Sequence, residues 1–377
     1  MRPLPVILGV VLGLAAAAVV LPMFDGRGAP QGSRAGPVLS DCDGPLRELV
    51  IHYVPASANI TAEVYRDLLR HLPDGVTVHA VCPDAAAFDD LRARAGAVRC
   101  TLRPVVVGHP ITTWSRDRWL ALEPAGPGEP VVLLAPRGED GADAWPERRG
   151  DERVADDLAA DLGTGVTATR SELYFDGGDF VADTETVFVT PAVLRRNLQR
   201  TVATREELVE RLRAVLGRRV VLFDEAPDHH AGMFMMATGD RTVLVGDPSA
   251  GLRVLDPGCD GAADALLPRE GADASAETQA LFDAVARQCA EAGYRVVRIP
   301  MVPGRDGRTY LTHVNAILDR RDGRRVVTMP TFRGAEALND AAERTWRDLG
   351  WDVRRVDCTA CYPHFGSLRC LVNVLSR

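Results

Sequence analysis

Cys370 follows Gly366, Ser367, Leu368 and Arg369 in an apolar segment that runs to Val374. A small thiol in such a segment is ordinarily a buried hydrophobe. Three upstream motifs supply what a nucleophilic thiol would need. Trp114, Ser115, Arg116, Asp117, Arg118 and Trp119 sit where a loop meets an apolar strand, and Asp176 and Asp179 flank the paired glycines Gly177 and Gly178. His230 stands between His229 and the apolar run that begins at Met233. Glycine pairs permit a tight bend or the close approach of another group. A thiolate, a histidine for proton transfer and nearby carboxylates form a set able to do nucleophilic and acid–base chemistry. Each motif alone has a plainer reading: an exposed salt-linked turn, an acidic hairpin turn, a satisfied core histidine. Adjacent histidines on an extended segment point apart, so His229 and His230 do not suit one metal ion. Cys358 and Cys361 have no second CxxC pair and read as a disulfide or as plain thiols rather than as a metal site.

The elements that must position these residues alternate strands and helices. Apolar strands are expected at 49–54, 76–81, 98–107, 173–181, 186–189, 220–223, 233–237, 243–245, 295–299, 310–318, 326–329, 353–356 and 368–374. Amphipathic helices are expected at 61–72, 85–95, 151–162, 205–216, 276–292 and 335–349. Short strands with helices in recurring units, each carrying one candidate residue, indicate an α/β repeat. The stretch 249–275 lacks periodicity and reads as a long loop.

The chain has 377 residues, 46% of them hydrophobic and 25% charged, which suits a globular protein with a sizeable core. Its formal charge of −8, without a basic stripe carrying interleaved aromatics, argues against nucleic acid as a partner. The apolar run at 4–24 behind Arg2 reads as a signal peptide or membrane anchor over residues 1–24, which places the protein outside the cytoplasm. A Gly-, Pro- and Ser-rich linker is expected over 25–44, with the catalytic domain over 45–377. No phosphate-binding loop or dinucleotide fingerprint is present in the sequence, so no cofactor is expected.

Taken in chain order, Trp114 with Asp117, the turn from Asp176 to Asp179, His230, and Cys370 behind Gly366 and Arg369 resemble the guanidine-modifying enzymes of the pentein superfamily. These include agmatine, arginine and protein-arginine deiminases and dimethylarginine dimethylaminohydrolases. The resemblance implies a five-bladed α/β propeller of ββαβ repeats, preceded here by the N-terminal apolar helix. It implies Cys370 as nucleophile and His230 as general acid and base, with Asp117 and Asp176 holding the guanidinium. Trp114, Asp179 and Asn315, the last in the segment Tyr310 to Asn315, are further substrate-binding candidates; neither metal nor cofactor is implied. A small-molecule or peptidyl guanidine is the implied substrate, with hydrolysis as the reaction and amidino transfer or binding without turnover as the alternatives. Two positions depart from the family pattern. Gly232 stands where a His-x-Asp motif has its acid, and Asp176 stands where the glycine motif opens with Glu.

Overall fold

The computed structural model describes residues 35–139, 146–258 and 260–377. The signal or anchor expected over residues 1–24 lies outside them. Five sheets repeat one plan: an antiparallel hairpin, then a helix that crosses over to a third strand parallel to the second. The first unit comprises strands Leu120–Pro124, Val131–Ala135 and Val166–Arg170, with Leu120 opposite Leu134 and Val131 opposite Val166. The second has Phe180–Ala182, Thr186–Val189 and Arg219–Leu222; the third has Met235–Gly239, Thr242–Asp247 and Arg295–Pro300. The fourth has Ile317–Arg321, Arg324–Thr331 and Asp352–Asp357. The fifth joins the two ends of the domain, because Val372–Ser376 runs antiparallel to Glu48–His52, which is parallel to Thr77–Cys82.

Local sequence accounts for the crossovers. In the second unit Thr204 caps helix Arg205–Leu216 by accepting from the Glu207 amide, and Gly217 ends it in the left-handed conformation. Leu208, Leu212 and Leu216 fall on one face and are buried against Val187, Val189 and Val220. Each such leucine contributes about 1.5 to 3 kcal/mol on leaving water.

Residues 35–44, expected in a linker, belong instead to the folded domain. Ala35–Val38 pairs with Leu120–Pro124, Cys42 is buried, and the Asp41 carboxylate is held by Arg369 with its side chain 9% exposed. The stretch 249–275, expected as a loop, holds helices Pro248–Leu255 and Ala262–Leu266. The first is started by Pro248 and by the Asp247 carboxylate, which accepts from the Ala250 amide. Four expected strands are shorter than their apolar runs: 173–181 shrinks to Phe180–Ala182, 233–237 begins at Met235, 310–318 splits into Tyr310–Leu311 and Ile317–Arg321, and 368–374 begins at Val372. In three of these places the residues before the strand wind into a short turn, namely Gly177–Asp179, Ala231–Phe234 and Leu368–Leu371. Hydrophobicity marks burial rather than strand: Ala231–Phe234 and Leu368–Leu371 are largely apolar turns, and Gly177–Asp179 lies between apolar residues.

Candidate active site

Those turns build the site. Each of the five units is preceded by a segment that leads into its first strand, and the five segments carry Asp117, Asp176, His230, Asn315 and Cys370 in chain order. Trp114, Asp117, Asp176, Asp179, His230 and Cys370 line one cavity of about 390 Å³. Arg196, Asp228, Arg308, His364 and Phe365 line it as well.

The glycines of the motifs are close-approach positions. A Cβ on Gly178 would lie 2.3 Å from His230 Nδ1, one on Gly177 would lie 2.2 Å from the Arg116 carbonyl, and one on Gly366 would lie 2.3 Å from the Trp114 ring. The turns thus nest against one another without intervening side chains. Phe365 holds φ at +71°, a left-handed conformation that costs a non-glycine residue about 1 kcal/mol or more, at the cavity wall. The guanidiniums of Arg269 and Arg308 lie over its ring, 4.4 and 5.7 Å from the centroid.

Cys370 lies in a turn, not in the strand expected for it. Its backbone N–H donates to the Ser367 carbonyl at 3.1 Å, and its Sγ lies 3.6 Å from Asn315 Oδ1 and 3.7 Å from Met233 Sδ. Asn315, expected to bind substrate, is 1% exposed and does not line the cavity. It is a brace: Oδ1 accepts from the Arg369 and Cys370 amides at 2.8 and 3.3 Å, and Nδ2 donates to the Gly232 carbonyl at 2.9 Å. One amide therefore ties the cysteine turn to the histidine turn.

His230 lies between two carboxylates, with Nδ1 3.9 Å from Asp117 Oδ1 and Nε2 3.8 Å from Asp176 Oδ2. Burial by itself would discharge the ring, but Asp176, Cys370, Asp117 and Asp179 outweigh it and hold the His230 pKa well above the ordinary value. His229 is the opposite case. Its Nδ1 accepts from the His230 amide at 2.7 Å, its Nε2 then donates to the Phe365 carbonyl at 3.0 Å, and burial followed by the neighbouring His230 charge lowers its pKa to about 3. One histidine is charged and the other is a neutral strut.

Asp176, expected to grip a substrate guanidinium, already holds the protein's own on both oxygens. Oδ1 accepts from Arg148 at 2.5 Å and Arg118 at 3.2 Å, and Oδ2 accepts from Arg196 at 2.8 Å. Desolvation opposes ionisation, but His230, Arg148 and Arg196 hold its pKa well below the usual carboxylate range. Glu139 and Glu152 complete the network through Arg118, and Glu139 also accepts from Arg196. Asp179 lines the cavity but serves the turn, accepting from the Asp176 amide at 2.9 Å and the Thr190 hydroxyl at 3.0 Å. Asp117 accepts from Arg148 at 3.0 Å through Oδ2 and keeps Oδ1 toward His230. Sequence reasoning misses this network. Arg118 stands inside the tryptophan motif, while Arg148 and Arg196 sit on helices Pro146–Asp151 and Pro191–Asn197 with no local mark of their destination.

Arg369 does not reach the cavity. It donates to Asp41 Oδ1 at 2.7 Å and to the Phe180 carbonyl at 3.1 Å. A Cβ on Gly232 would lie 2.8 Å from its Nη1, so a larger residue at that position and this arginine would compete for the same space. Cys358 and Cys361 are buried free thiols, and no group of metal-binding side chains occurs among the described residues.

No family model matches the chain, and no curated protein sequence matches it. Solved structures do. The agmatine deiminase of C. jejuni superposes with a TM-score of 0.66 at 12% identity, over 92% of this chain and 97% of that one. A cysteine-to-serine form of the same enzyme with substrate bound gives 0.65 at 10% identity, over 89% and 95%. The agmatine deiminase of Enterococcus faecalis gives 0.61 at 14%, over 89% and 95%. The likeness is one of fold: the described domain has the mixed α/β fold of the pentein deiminases.

Proposed function

We propose that this pentein-fold chain hydrolyses a guanidinium group, with Cys370 as nucleophile and His230 as general acid and base. The observation that carries the reading is the convergence of Cys370, His230 and Asp117 from three separate units on one cavity. The five units are read as blades of a propeller around that cavity, closed by the pairing of Val372–Ser376 with Glu48–His52.

A guanidinium is planar, cationic and a poor electrophile, so it must be oriented and met by a strong nucleophile. Asp117 Oδ1 accepts one of its N–H groups. The Cys370 thiolate adds to the central carbon, forming the C–S bond while the C=N electron pair moves to nitrogen. Collapse of this adduct breaks a C–N bond, and protonated His230 gives its proton to the departing ammonia or amine. Neutral His230 then takes a proton from water, the hydroxide adds to the same carbon, and the C–S bond breaks to release the ureido product and the thiolate. Asp176, committed to three arginines, orients and charges His230 rather than touching substrate. Support for a small-molecule guanidine comes from the substrate-bound agmatine deiminase of the same fold. The proposed setting is extracytoplasmic, on the strength of the apolar run at 4–24.

Ammonia and ureido product are measured from agmatine, arginine and an arginine-containing peptide. One of these is expected to turn over, with Cys370→Ala reducing the rate by about 10⁴-fold or more. No release from any of the three would sink the hydrolase reading. The arginine saturation of Asp176 and the absence of an acid at Gly232 favour a second reading, a protein that binds a guanidine without turnover. Binding without product release in the same samples would select it.

A further inference from the structure

Arg148 makes the contacts that a bound guanidine would be expected to make. Its Nη1 donates to Asp117 Oδ2 at 3.0 Å and its Nη2 to Asp176 Oδ1 at 2.5 Å, so one planar guanidinium spans the two aspartates. It comes from behind: Asp117 and Asp176 line the cavity and Arg148 does not. Nor is it a loose arm. Its helix, Pro146–Asp151, is fixed by Asp151, which accepts from the Thr112 amide at 2.8 Å and from the Thr112 hydroxyl at 2.5 Å. Gly150 packs so closely that a Cβ there would lie 1.7 Å from the Pro110 carbonyl. The side chain is 17% exposed, where charges act on one another with little screening.

This resident cation changes what the site offers a ligand. Asp176 faces Arg118, Arg148, Arg196 and the charged His230, and Asp117 faces Arg148 and His230. Of the four oxygens on the two aspartates, Asp117 Oδ1 is, among the described residues, the one without a guanidinium of the protein on it. We propose that Arg148 is a specificity-determining residue: it competes with the substrate guanidinium for Asp117 and Asp176 and leaves the substrate one N–H contact, at Asp117 Oδ1. The inference rests on the guanidine-hydrolase reading. Under it, affinity for a guanidine is set low by the protein's own guanidinium, and selection passes to the other groups that line the cavity.

The test uses the full chain. Alkylation of Cys370 by iodoacetamide is followed by peptide mass spectrometry, and the agmatine concentration that halves its rate is measured. Arg148→Gln removes the competing cation, so this concentration falls about tenfold or more. Arg148→Lys keeps the charge but cannot span both carboxylates, and is expected between wild type and Arg148→Gln. A residue that merely braced the aspartates would on removal weaken protection and leave KM higher. An unchanged or raised half-protection concentration in both variants, or no protection in any form of the protein, overturns the proposal. If Arg148→Gln does not fold, as shown by its thermal melt, Arg148→Lys decides by the direction of its shift. Ammonia release by the wild-type chain is recorded in parallel. Tighter protection without turnover retains Arg148 as the competing cation while rejecting the hydrolase reading; turnover with unaltered protection does the reverse.

Discussion

The wall of the cavity that carries Cys370 and the wall that carries Asp117 and Asp176 are held by different forces. On the cysteine side, Asn315 joins two turns through neutral hydrogen bonds, His229 is an uncharged strut, and Met233 packs against the thiol. On the carboxylate side, three guanidiniums converge on Asp176, with Glu139 and Glu152 behind them. The chain contains no lysine, so every side-chain cation in that network other than a protonated histidine is a planar fork that can bridge two acids. The cysteine wall fixes geometry; the carboxylate wall fixes charge, and in doing so it occupies the oxygens that a cationic ligand would seek.

The largest expected effect breaks the charged wall. Asp176→Ala leaves Arg118, Arg148 and Arg196 facing one another without their shared acid, and buried ion pairs broken from one side cost about 3 to 5 kcal/mol. Urea denaturation should show this as a lower midpoint with an unchanged slope. An Asp176→Ala chain as stable as wild type would mean that the network is solvated and contributes charge without holding structure.

Acid acts on the buried histidines. His229 is held down to about 3, and the buried His52 and His313 to about 4, in each case by burial first. A histidine whose folded pKa is depressed carries no penalty above its unfolded pKa near 6.5. It loses stability as pH falls below that value, by about 1.4 kcal/mol per pH unit for each group. Asp151, raised to about 7 chiefly by burial, has the opposite sign between pH 7 and 5 and offsets about one histidine. Asp179 and His230, both held above their ordinary values, act in the same direction as Asp151, and the balance expected between pH 7 and 5 is a net loss read as a falling thermal midpoint. Asp176, held well below the ordinary range, stays ionised throughout. A midpoint that is flat from pH 7 to 5 would show that these histidines titrate normally.

The smallest effect tests the brace. Asn315→Ala leaves the Arg369 and Cys370 amides and the Gly232 carbonyl without their partner, at about 1 to 3 kcal/mol. Activity should fall more than stability implies, since the thiol and the histidine lose their common splint. Equal kcat in Asn315→Ala and wild type would show that the two turns hold their positions independently.

Much of this site is legible in sequence because glycines and acids in short motifs announce turns. Asp117, Asp176, His230 and Cys370 do meet, and Gly178 and Gly366 are glycines because an imidazole and an indole occupy the space of a side chain. Asn315 is visible in the sequence but its role is not, because a buried amide that joins two turns looks there like one that faces a ligand. Arg148 and Arg196 are illegible, since an arginine on a short helix carries no sign of which carboxylate it will meet across the fold. The turn at Leu368–Leu371 reads as strand because both states bury the same apolar side chains, and Gly177–Asp179 reads so because apolar residues flank it on both sides. Residues 35–44 read as linker because their small and polar composition hides the pairing of Ala35–Val38 and the hold of Arg369 on Asp41.

The pairing of Val372–Ser376 with Glu48–His52 also sets a timetable. The Tyr65 hydroxyl donates to the Leu371 carbonyl across 306 residues of chain, one of the longest closures in the fold and, by its loop entropy, a late one. Asp117, Asp176 and His230 lie on units whose own strands are contiguous in sequence, whereas Cys370 waits for a strand from the far end. The proposed nucleophile is therefore expected to be the last part of the site to arrive. Burial of the Cys370 thiol during refolding is accordingly a clock for the final step of assembly.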